Sequence, residues 1–478
     1  MIPLLKLLSH PYKLRILFFI YIIWVTNAFA DTDIDAINKI LNRSELSKTN
    51  YTLYIKNISK RNKVFSYNEQ KAFNPASLMK LVTTYTGLQI LGPQFQWKTE
   101  VLYKGALKNK HLYGNLIIKG YGDATLTYSD LSEVIEKVQQ KGIQHIHGNI
   151  IIEESFFGEL QNQDFIDDKK YRAYNVNPKS FVVNQNTINF NFSIENEKIN
   201  IQTFPELQML KVINHLKFTD QGCNAWKDNL GYEVETKSNV TEIIFNGHYD
   251  KACESKDIDL SVLSANRLFN GLFEKLWKIH GGSIEGEFKN TYQNTTDALK
   301  FYEHLSRPLS LVVRDINKYS QNLLARNLLL TMLAENNGNP ITENEAGRFA
   351  KESLMKEKMK LDSLEIDNGA GLSRKAKVSA EDLGFLLERA YDSLYMPEFV
   401  ASLPNLGTDG TLKSRGKKLS VAKHAYLKTG SIQNVSAIAG YIFDKNNDVK
   451  VFVFIANDPK ANESSKIQDD LIEWTYLN

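Results

Sequence analysis

The tetrapeptide Ser-Leu-Met-Lys occurs twice in this chain, and each copy holds a serine and a lysine that could act together. The first copy is Ser77–Lys80 and the second is Ser353–Lys356. On a helix, residues three positions apart lie on one face, so each serine would meet its lysine. A lysine that is desolvated or lies near another cation has a lowered pKa, and its neutral amine can remove the proton of a serine hydroxyl. The pair predicts a serine nucleophile that needs no histidine.

The S-x-x-K pattern by itself is weak, because this lysine-rich chain contains it four times. The other two copies are Ser414–Lys417 and Ser420–Lys423. One known active-serine arrangement carries S-x-x-K first, then an S-x-N element, then K-T-G. K-T-G occurs once, at Lys428–Gly430, and no S-x-N or Y-x-N lies between Ser353 and that motif. Only Ser77 can therefore head the ordered set.

The middle element has two candidates, Ser-Ala-Asn at 264–266 and Ser-Gln-Asn at 320–322. The sequence around Ser320 indicates a polar loop that enters a helix, whereas Ser264 lies in one amphipathic helical pattern. This favours Ser320, but spacing alone leaves both open. The K-T-G segment is strand-like, which puts Lys428 and Gly430 on one face. A strand edge offers backbone groups to an extended peptide, and a glycine lets such a substrate approach closely.

The two ends of the chain predict one antiparallel sheet. Strand-like runs at 51–57 and 63–68 form a hairpin before the apolar helix that starts at Ser77. Three more strand-like runs and a helix close the chain. Together these elements predict a sheet covered by helices. The strand-rich stretch from about 98 to 290 would be an insertion, and about 298 to 400 is mostly helical.

Composition and charge bear on the partners of this chain. The net charge of +3 is carried by scattered basic residues, which does not argue for a nucleic-acid partner. Cys223 and Cys253 predict a disulfide in an exported protein. His145 and His147 are interpreted as surface histidines, because no cysteine or carboxylate cluster accompanies them. The sequence predicts no metal and no cofactor.

The first thirty residues have the anatomy of a secretory signal peptide. Basic residues precede an apolar run at 16–26, and the A-x-A site ends at Ala30. The apolar run is shorter than the about twenty residues that a membrane-spanning helix needs. We expect cleavage after Ala30 and a periplasmic protein with at most loose membrane association. An uncleaved membrane anchor is the alternative.

Eight segments, in order, resemble the low-molecular-mass class C penicillin-binding proteins, which are D-alanyl-D-alanine carboxypeptidases and endopeptidases. The resemblance covers nearly the whole mature chain. The segments are PASLMKLVTTY, GYGDATLTYSDL, IQHIHGNIIIEESFF, YNVNPKSFVVNQNTINFNF, YSQN, IDNGAGLSR, LGTDGTLKSR and LKTGSIQNVSAIAGY. The resemblance implies that Ser320 and Asn322 are the middle element.

The resemblance also implies a mixed α/β (α+β) fold. In it, a transpeptidase-like domain is interrupted by two β-rich inserted domains. We expect the signal peptide at 1–30 and the catalytic domain at 31–97 and 296–478. Inserted domain II would then cover 98–125 and 195–295, and inserted domain III would cover 126–194.

The resemblance implies a role for each residue of the three motifs. Ser77 would attack the peptide, with Lys80 as its base. Ser320 and Lys428 would relay a proton to the leaving amine, and Asn322 would hold the substrate's amide carbonyl. Thr429 and Ser431 would bind the terminal carboxylate beside Gly430. The backbone N–H groups of Ser77 and Ser431 would form the oxyanion hole.

Four further residues match positions that bind a diaminopimelate side chain in the family. They are Glu153, Phe157, Arg374 and Gln433, and glutamate replaces the family's aspartate at the first. Arg326 stands where the family often has a glutamate. The partners implied are the peptide stems and cross-links of peptidoglycan, with β-lactam antibiotics as inhibitors. The alternatives are a β-lactamase or related serine esterase, and a non-catalytic wall-binding protein.

Overall fold

The structure is a computed structural model that describes residues 34–161, 166–224, 226–337 and 341–478. The predicted signal peptide and its cleavage site lie outside these residues. Among the residues described, no helix combines the length and apolar character that crossing a bilayer requires.

The strands are spread over the whole described chain. Those before residue 160 are β1 (Tyr51–Asn57), β2 (Asn62–Tyr67), β3 (Ala72–Phe73), β4 (Lys98–Lys108), β5 (His111–Gly120), β6 (His145–Ile146) and β7 (Ile150–Glu153). The next are β8 (Ile188–Glu195), β9 (Lys198–Phe204), β10 (Leu210–Asn214), β11 (Lys217–Thr219), β12 (Leu230–Lys237), β13 (Val240–Asp250) and β14 (Lys256–Leu260). The last are β15 (Ser283–Ile284), β16 (Phe288–Thr291), β17 (Leu299–Leu305), β18 (Val378–Ser379), β19 (Ala425–Ile432), β20 (Val435–Phe443) and β21 (Val449–Asn457).

The helices are concentrated after residue 260. The first four are α1 (residues 34–41), α2 (Met79–Leu91), α3 (Tyr128–Gln140) and α4 (Ala265–Ile279). The others are α5 (Leu309–Lys318), α6 (Asn322–Asn337), α7 (Glu343–Lys356), α8 (Ala380–Tyr391), α9 (Met396–Ser402) and α10 (Ser465–Leu477). A short 3₁₀ helix, Ala76–Leu78, leads directly into α2.

A five-stranded antiparallel sheet joins the two ends of the chain in the order β19-β20-β21-β1-β2. The sheet predicted from the terminal segments is therefore confirmed. Strands β20 and β21 are almost wholly buried, because helices cover both faces. The terminal helices α1 and α10 pack on one face through Ile37 and Leu471. Helices α2, α5 and α8 pack on the other face, around Val453 and Ile455.

A second hydrophobic core lies in the inserted part of the chain. Helices α3 and α4 pack there against a seven-stranded sheet in which β5 pairs with β4, β6 and β7. Two smaller sheets complete this region, one formed by β14, β8 and β9 and one by β10 to β13. The predicted disulfide between Cys223 and Cys253 is confirmed. The mixed α+β fold with β-rich insertions is thus as predicted.

The exact domain edges remain a prediction. Strands β6 and β7 come from the range assigned to inserted domain III, yet they pair with β5 from the range assigned to domain II. Strand β17, from the range assigned to the catalytic domain, pairs with β4. The seven-stranded sheet therefore contains residues from all three assigned ranges.

Candidate active site

Ser77 lies in the short 3₁₀ helix that precedes α2, and its side chain is half-buried. The side-chain amide of Asn74 holds this turn in place through both its oxygen and its nitrogen. Its Oδ1 accepts from the Ala76 N–H at 2.9 Å, and its Nδ2 donates to the Ser373 carbonyl at 2.7 Å. The Asn74 N–H also donates to Asn457 Oδ1 at the end of β21 at 2.7 Å. The nucleophile turn is therefore tied to the central sheet.

Lys80 is fully buried in the first turn of α2, with three oxygen atoms around its amine. The Nζ atom lies 3.0 Å from Ser77 Oγ, 2.7 Å from Asn322 Oδ1 and 2.6 Å from the Ala370 carbonyl. The amide and carbonyl oxygens can only accept. A neutral amine donates one hydrogen to each and keeps its lone pair for the Ser77 hydroxyl. This arrangement suits a base.

Electrostatics favour the neutral form of Lys80. Burial lowers the pKa of the Lys80 ammonium well below its usual value, and the positive charge of Lys428 lowers it further. Burial also lowers the pKa of Lys428, to about 7. Among the described residues, no carboxylate pairs with the Lys80 amine to offset its burial. Desolvation is therefore the main cause of the lowered pKa of Lys80.

Ser320 and Lys428 form the second serine–lysine pair. Lys428 Nζ donates to Ser320 Oγ at 3.1 Å and to the Thr429 carbonyl at 2.8 Å. Ser320 has a φ of +58°, in the turn between α5 and α6. Asn322 is the first residue of α6, and its Nδ2 donates to the Tyr174 carbonyl at 3.0 Å. That bond orients the Asn322 side chain so that its oxygen faces Lys80.

Strand β19 is an edge strand of the central sheet, and its Gly430 lies against the turn that carries Ser77. The Leu427 N–H points outward, since it donates to the Pro404 carbonyl at 2.8 Å. Backbone N–H directions alternate along a strand, so those of Thr429 and Ser431 also point outward. The Thr429 hydroxyl lies 2.9 Å from that of Thr411. This edge can pair with an extended peptide.

Gly430 touches the nucleophile turn itself. A Cβ atom at Gly430 would lie 2.7 Å from the Pro75 carbonyl oxygen and 3.0 Å from the Ser77 backbone nitrogen. The structural demand for glycine at this position therefore comes from the protein's own backbone. Close approach of a substrate to Gly430 remains a prediction.

We expect Gly430→Ala to slow acylation of Ser77 by benzylpenicillin about 100-fold, because the nucleophile turn must shift to admit the methyl group. Stopped-flow or quenched labelling kinetics would measure the rate. Gly231→Ala in β12 is the matched control, since its Cβ would lie 3.6 Å from the nearest atom. Equal rates for the two variants would contradict the prediction.

The four residues predicted to bind a diaminopimelate side chain fall into two pairs. Arg374 and Gln433 are exposed and lie together, with Arg374 Nη1 donating to the Gln433 carbonyl at 2.7 Å. Glu153 is buried in an ion pair with Lys119 at 2.7 Å. Phe157 is fully buried against helix α6. Contact of Glu153 and Phe157 with a substrate stays a prediction, and in this arrangement both side chains are enclosed by protein.

Arg326, where a glutamate was expected, has a clear structural role. Its guanidinium is buried and pairs with Glu343 at 2.7 Å. The same side chain donates to the Val176 carbonyl at 3.2 Å. Arg326 thereby holds the segment whose Tyr174 carbonyl fixes Asn322. Arg326 therefore stabilises the position of Asn322 indirectly, through this segment.

We expect Arg326→Ala to lower the free energy of unfolding by about 3 kcal/mol, because Glu343 would be left as an unpaired, nearly buried charge. Denaturant titration would measure this. Arg307→Ala is the control, since Arg307 pairs with Asp315 at 2.8 Å but is half exposed. Its loss should cost less than about 1 kcal/mol. Equal losses for both variants would refute the assignment.

The rejected S-x-x-K copies and the rejected S-x-N element have ordinary surroundings. The Ser353 hydroxyl donates to the Phe349 carbonyl of its own helix at 2.8 Å, and Lys356 is exposed. Ser264 caps helix α4 by accepting from the Arg267 N–H. Ser414 and Ser420 are exposed. The amphipathic helix predicted around Ser264 begins only at residue 265.

Sequence reasoning did not assign three groups that the structure brings to the site. They are the carbonyl of Ala370, the carbonyl of Tyr174 and the hydroxyl of Thr411. A weak signal existed for Ala370, which lies between two glycines. A Cβ atom at Gly371 would lie 1.8 Å from the Ala76 carbonyl oxygen, so this turn can press against the nucleophile segment. The direction of a backbone carbonyl cannot be inferred from residue types, because every residue has one.

The fold and the site together define a class of active-serine hydrolase. In it, a buried lysine lies 3.0 Å from the Ser77 hydroxyl, and a second serine–lysine pair and an edge strand lie beside them. Residues 34–476 match the D-Ala-D-Ala carboxypeptidase 3 (S13) family. The chain belongs to this family. It is therefore a serine D-Ala-D-Ala carboxypeptidase that acts on peptidoglycan, as the sequence predicted.

Curated relatives and solved structures agree with this assignment. The chain is 23% identical to the D-alanyl-D-alanine carboxypeptidase DacB of Haemophilus influenzae over 428 residues, which is 86% of this chain and 85% of that protein. It is 25% identical to the D-alanyl-D-alanine carboxypeptidase of Actinomadura sp. strain R39 over 391 residues, covering 77% and 70%. The crystal structure of penicillin binding protein 4 from Haemophilus influenzae shares the fold, with a TM-score of 0.76 and 20% identity, covering 92% and 97% of the two chains.

Proposed function

We propose that Ser77 forms an acyl-enzyme with the peptide stem of peptidoglycan and releases the terminal D-alanine. Lys80 Nζ takes the Ser77 hydroxyl proton as Ser77 Oγ attacks the carbonyl carbon of the penultimate D-alanine. The negative oxygen that forms is held by the backbone N–H groups of Ser77 and Ser431. The observation that carries this proposal is the Lys80 amine, which is buried, 3.0 Å from Ser77 Oγ and surrounded by acceptors.

Ser320 and Lys428 then complete the first half of the reaction. Ser320 Oγ passes a proton to the leaving nitrogen, and Lys428 replaces it through their 3.1 Å contact. The C–N bond breaks and D-alanine departs, leaving an ester on Ser77. Water hydrolyses that ester and restores the hydroxyl. Asn322 holds the substrate's amide carbonyl, and Thr429 and Ser431 bind its terminal carboxylate at the free edge of β19.

The same site accounts for the other expected reactions. A cross-link cut by the enzyme presents a D-alanyl amide with the same carbonyl, so endopeptidase action uses the same residues. A β-lactam acylates Ser77 and keeps its leaving nitrogen tethered, which slows hydrolysis. Arg374 and Gln433 are exposed beside β19 and would contact the third residue of the stem. We place the enzyme in the periplasm, where this substrate lies.

Mass spectrometry of purified muropeptides tests the proposal. We expect pentapeptide monomers to lose one D-alanine and cross-linked dimers to split. Incubation with benzylpenicillin should leave a lasting adduct on the peptide that contains Ser77. Turnover of benzylpenicillin at about 10 s⁻¹, a typical enzymatic rate, would instead favour the β-lactamase alternative. Absence of both hydrolysis and labelling would favour the wall-binding alternative.

A further inference from the structure

A cavity of about 550 Å³ lies apart from the catalytic residues, between residues 168–172 and strand β12. We call it the distal cleft. Its volume is within the range of small-molecule sites, which is about 300–1,000 Å³. One wall includes Lys170, Tyr171 and Arg172, and the other includes Leu230, Tyr232 and Val234. None of the residues assigned to catalysis lines it.

The distal cleft is linked to the active site through a short piece of backbone. Arg172, on its wall, is two residues from Tyr174, so their Cα atoms are at most about 7 Å apart. The Tyr174 carbonyl accepts from Asn322 Nδ2 at 3.0 Å, and Asn322 Oδ1 lies 2.7 Å from Lys80 Nζ. This series of contacts limits the distance from Arg172 to the Ser77 hydroxyl to about 20 Å.

The lining combines aromatic rings with charges of both signs. The ring centroids of Tyr171 and Tyr232 are 6.4 Å apart, and the positive charge of Arg172 lies near the Tyr232 hydroxyl. The cations on the walls are nearly matched by carboxylates such as Glu233 and Glu235. A polyanion would not be attracted to such a balanced surface. A sugar fits it better, because its C–H face packs on an aromatic ring while its hydroxyls bind both donors and acceptors.

We propose that the distal cleft binds the amino-sugar end of the peptidoglycan substrate whose peptide stem is cut at Ser77. An extended stem of four residues spans about 13–14 Å and the attached sugar extends beyond its end, so a substrate with its scissile bond at Ser77 is long enough to approach Arg172. The inference rests on the proposed function and deepens it. It assigns recognition of the glycan to Tyr232 and Arg172 and recognition of the peptide to the edge of β19.

Steady-state kinetics with two substrates test the proposal in the mature enzyme. One substrate is a disaccharide-pentapeptide and the other is the same pentapeptide without sugar. We expect the wild type to prefer the disaccharide-pentapeptide. Tyr232→Ala should raise its KM for that substrate about five- to tenfold with kcat unchanged, since an interaction made equally in ground and transition states is lost. Hydrolysis of the free pentapeptide and labelling by benzylpenicillin should stay within twofold of wild type.

Arg172→Ala removes the same contact from the opposite wall and should give the same selective loss, so the test does not depend on one variant folding. Tyr113→Ala is the matched control, because Tyr113 is an exposed tyrosine of β5 that does not line the cleft. Equal effects on both substrates in Tyr232→Ala and Arg172→Ala, or a wild type without preference for the sugar, would overturn the inference while leaving the proposed function intact. A wild type that cleaves neither substrate would overturn the proposed function itself.

Discussion

Replacing Ser77 with alanine is expected to abolish release of D-alanine and covalent labelling by benzylpenicillin. The variant loses the only atom that can carry the acyl group, so the rate should fall by at least about 10⁴-fold. The fold should survive, because the Ser77 side chain is half-buried and the turn is held by Asn74. Muropeptide hydrolysis followed by mass spectrometry, together with fluorescent penicillin labelling, measures the loss.

The chain supplies its own matched control for this experiment. Ser353 sits in the same tetrapeptide, but its hydroxyl donates to the carbonyl of its own helix and Lys356 is exposed. We expect Ser353→Ala to hydrolyse muropeptides and bind penicillin at the wild-type rate. Labelling of Ser353, or D-alanine release by Ser77→Ala, would refute the assignment of the nucleophile.

Lys80→Arg is expected to reduce acylation of Ser77 by about 10³-fold or more. Arginine stays protonated in proteins, so it cannot accept the Ser77 proton. The larger guanidinium must also fit into a fully buried space bordered by Asn322 and Ala370. Lys356→Arg, in the second copy of the tetrapeptide, is the matched control and should change nothing. Retained penicillin labelling in Lys80→Arg would exclude Lys80 as the base.

The pH profile of the wild type provides a second readout for Lys80. Because burial and Lys428 lower the pKa of Lys80, the neutral amine forms at lower pH than in a free lysine. The acylation rate should rise with pH through this lowered pKa, because the neutral fraction of Lys80 rises. A rate that begins to rise only near the ordinary lysine pKa of about 10.4 would contradict this. Measurement of acylation under single-turnover conditions keeps deacylation out of the profile.

Much of the central sheet was predictable from local pattern. Continuous apolar runs such as β20 and β21 indicate strands covered on both faces, and the two ends of the chain supply complementary pieces of one sheet. The limits of helix α4 were predicted less well. Ser264 fits an amphipathic pattern, yet its side chain caps the helix that starts after it. Capping depends on backbone angles that a hydrophobic pattern does not record.

Arg326 shows a second limit. No local pattern explains an arginine one turn into α6, because its role depends on contacts with Glu343 and Val176. Glu153 and Phe157 occupy positions that resemble substrate contacts, and their contact with a substrate stays a prediction. In the fold, Glu153 pairs with Lys119 and Phe157 packs in a hydrophobic core, which residue type alone did not indicate. Residue type and position in the chain do not determine which way a side chain faces.

The sequence by itself singled out one of the four serine–lysine pairs, because only Ser77 is followed in order by an S-x-N element and K-T-G. The tertiary structure alone decided that Lys80 can act as a base. Its two fixed acceptors come from residues 242 and 290 positions away, and its pKa is lowered by burial and by Lys428. Desolvation is a property of the packed molecule, so no local pattern could reveal it. Burial is the physical difference between Lys80 and Lys356, although both lysines end the same tetrapeptide.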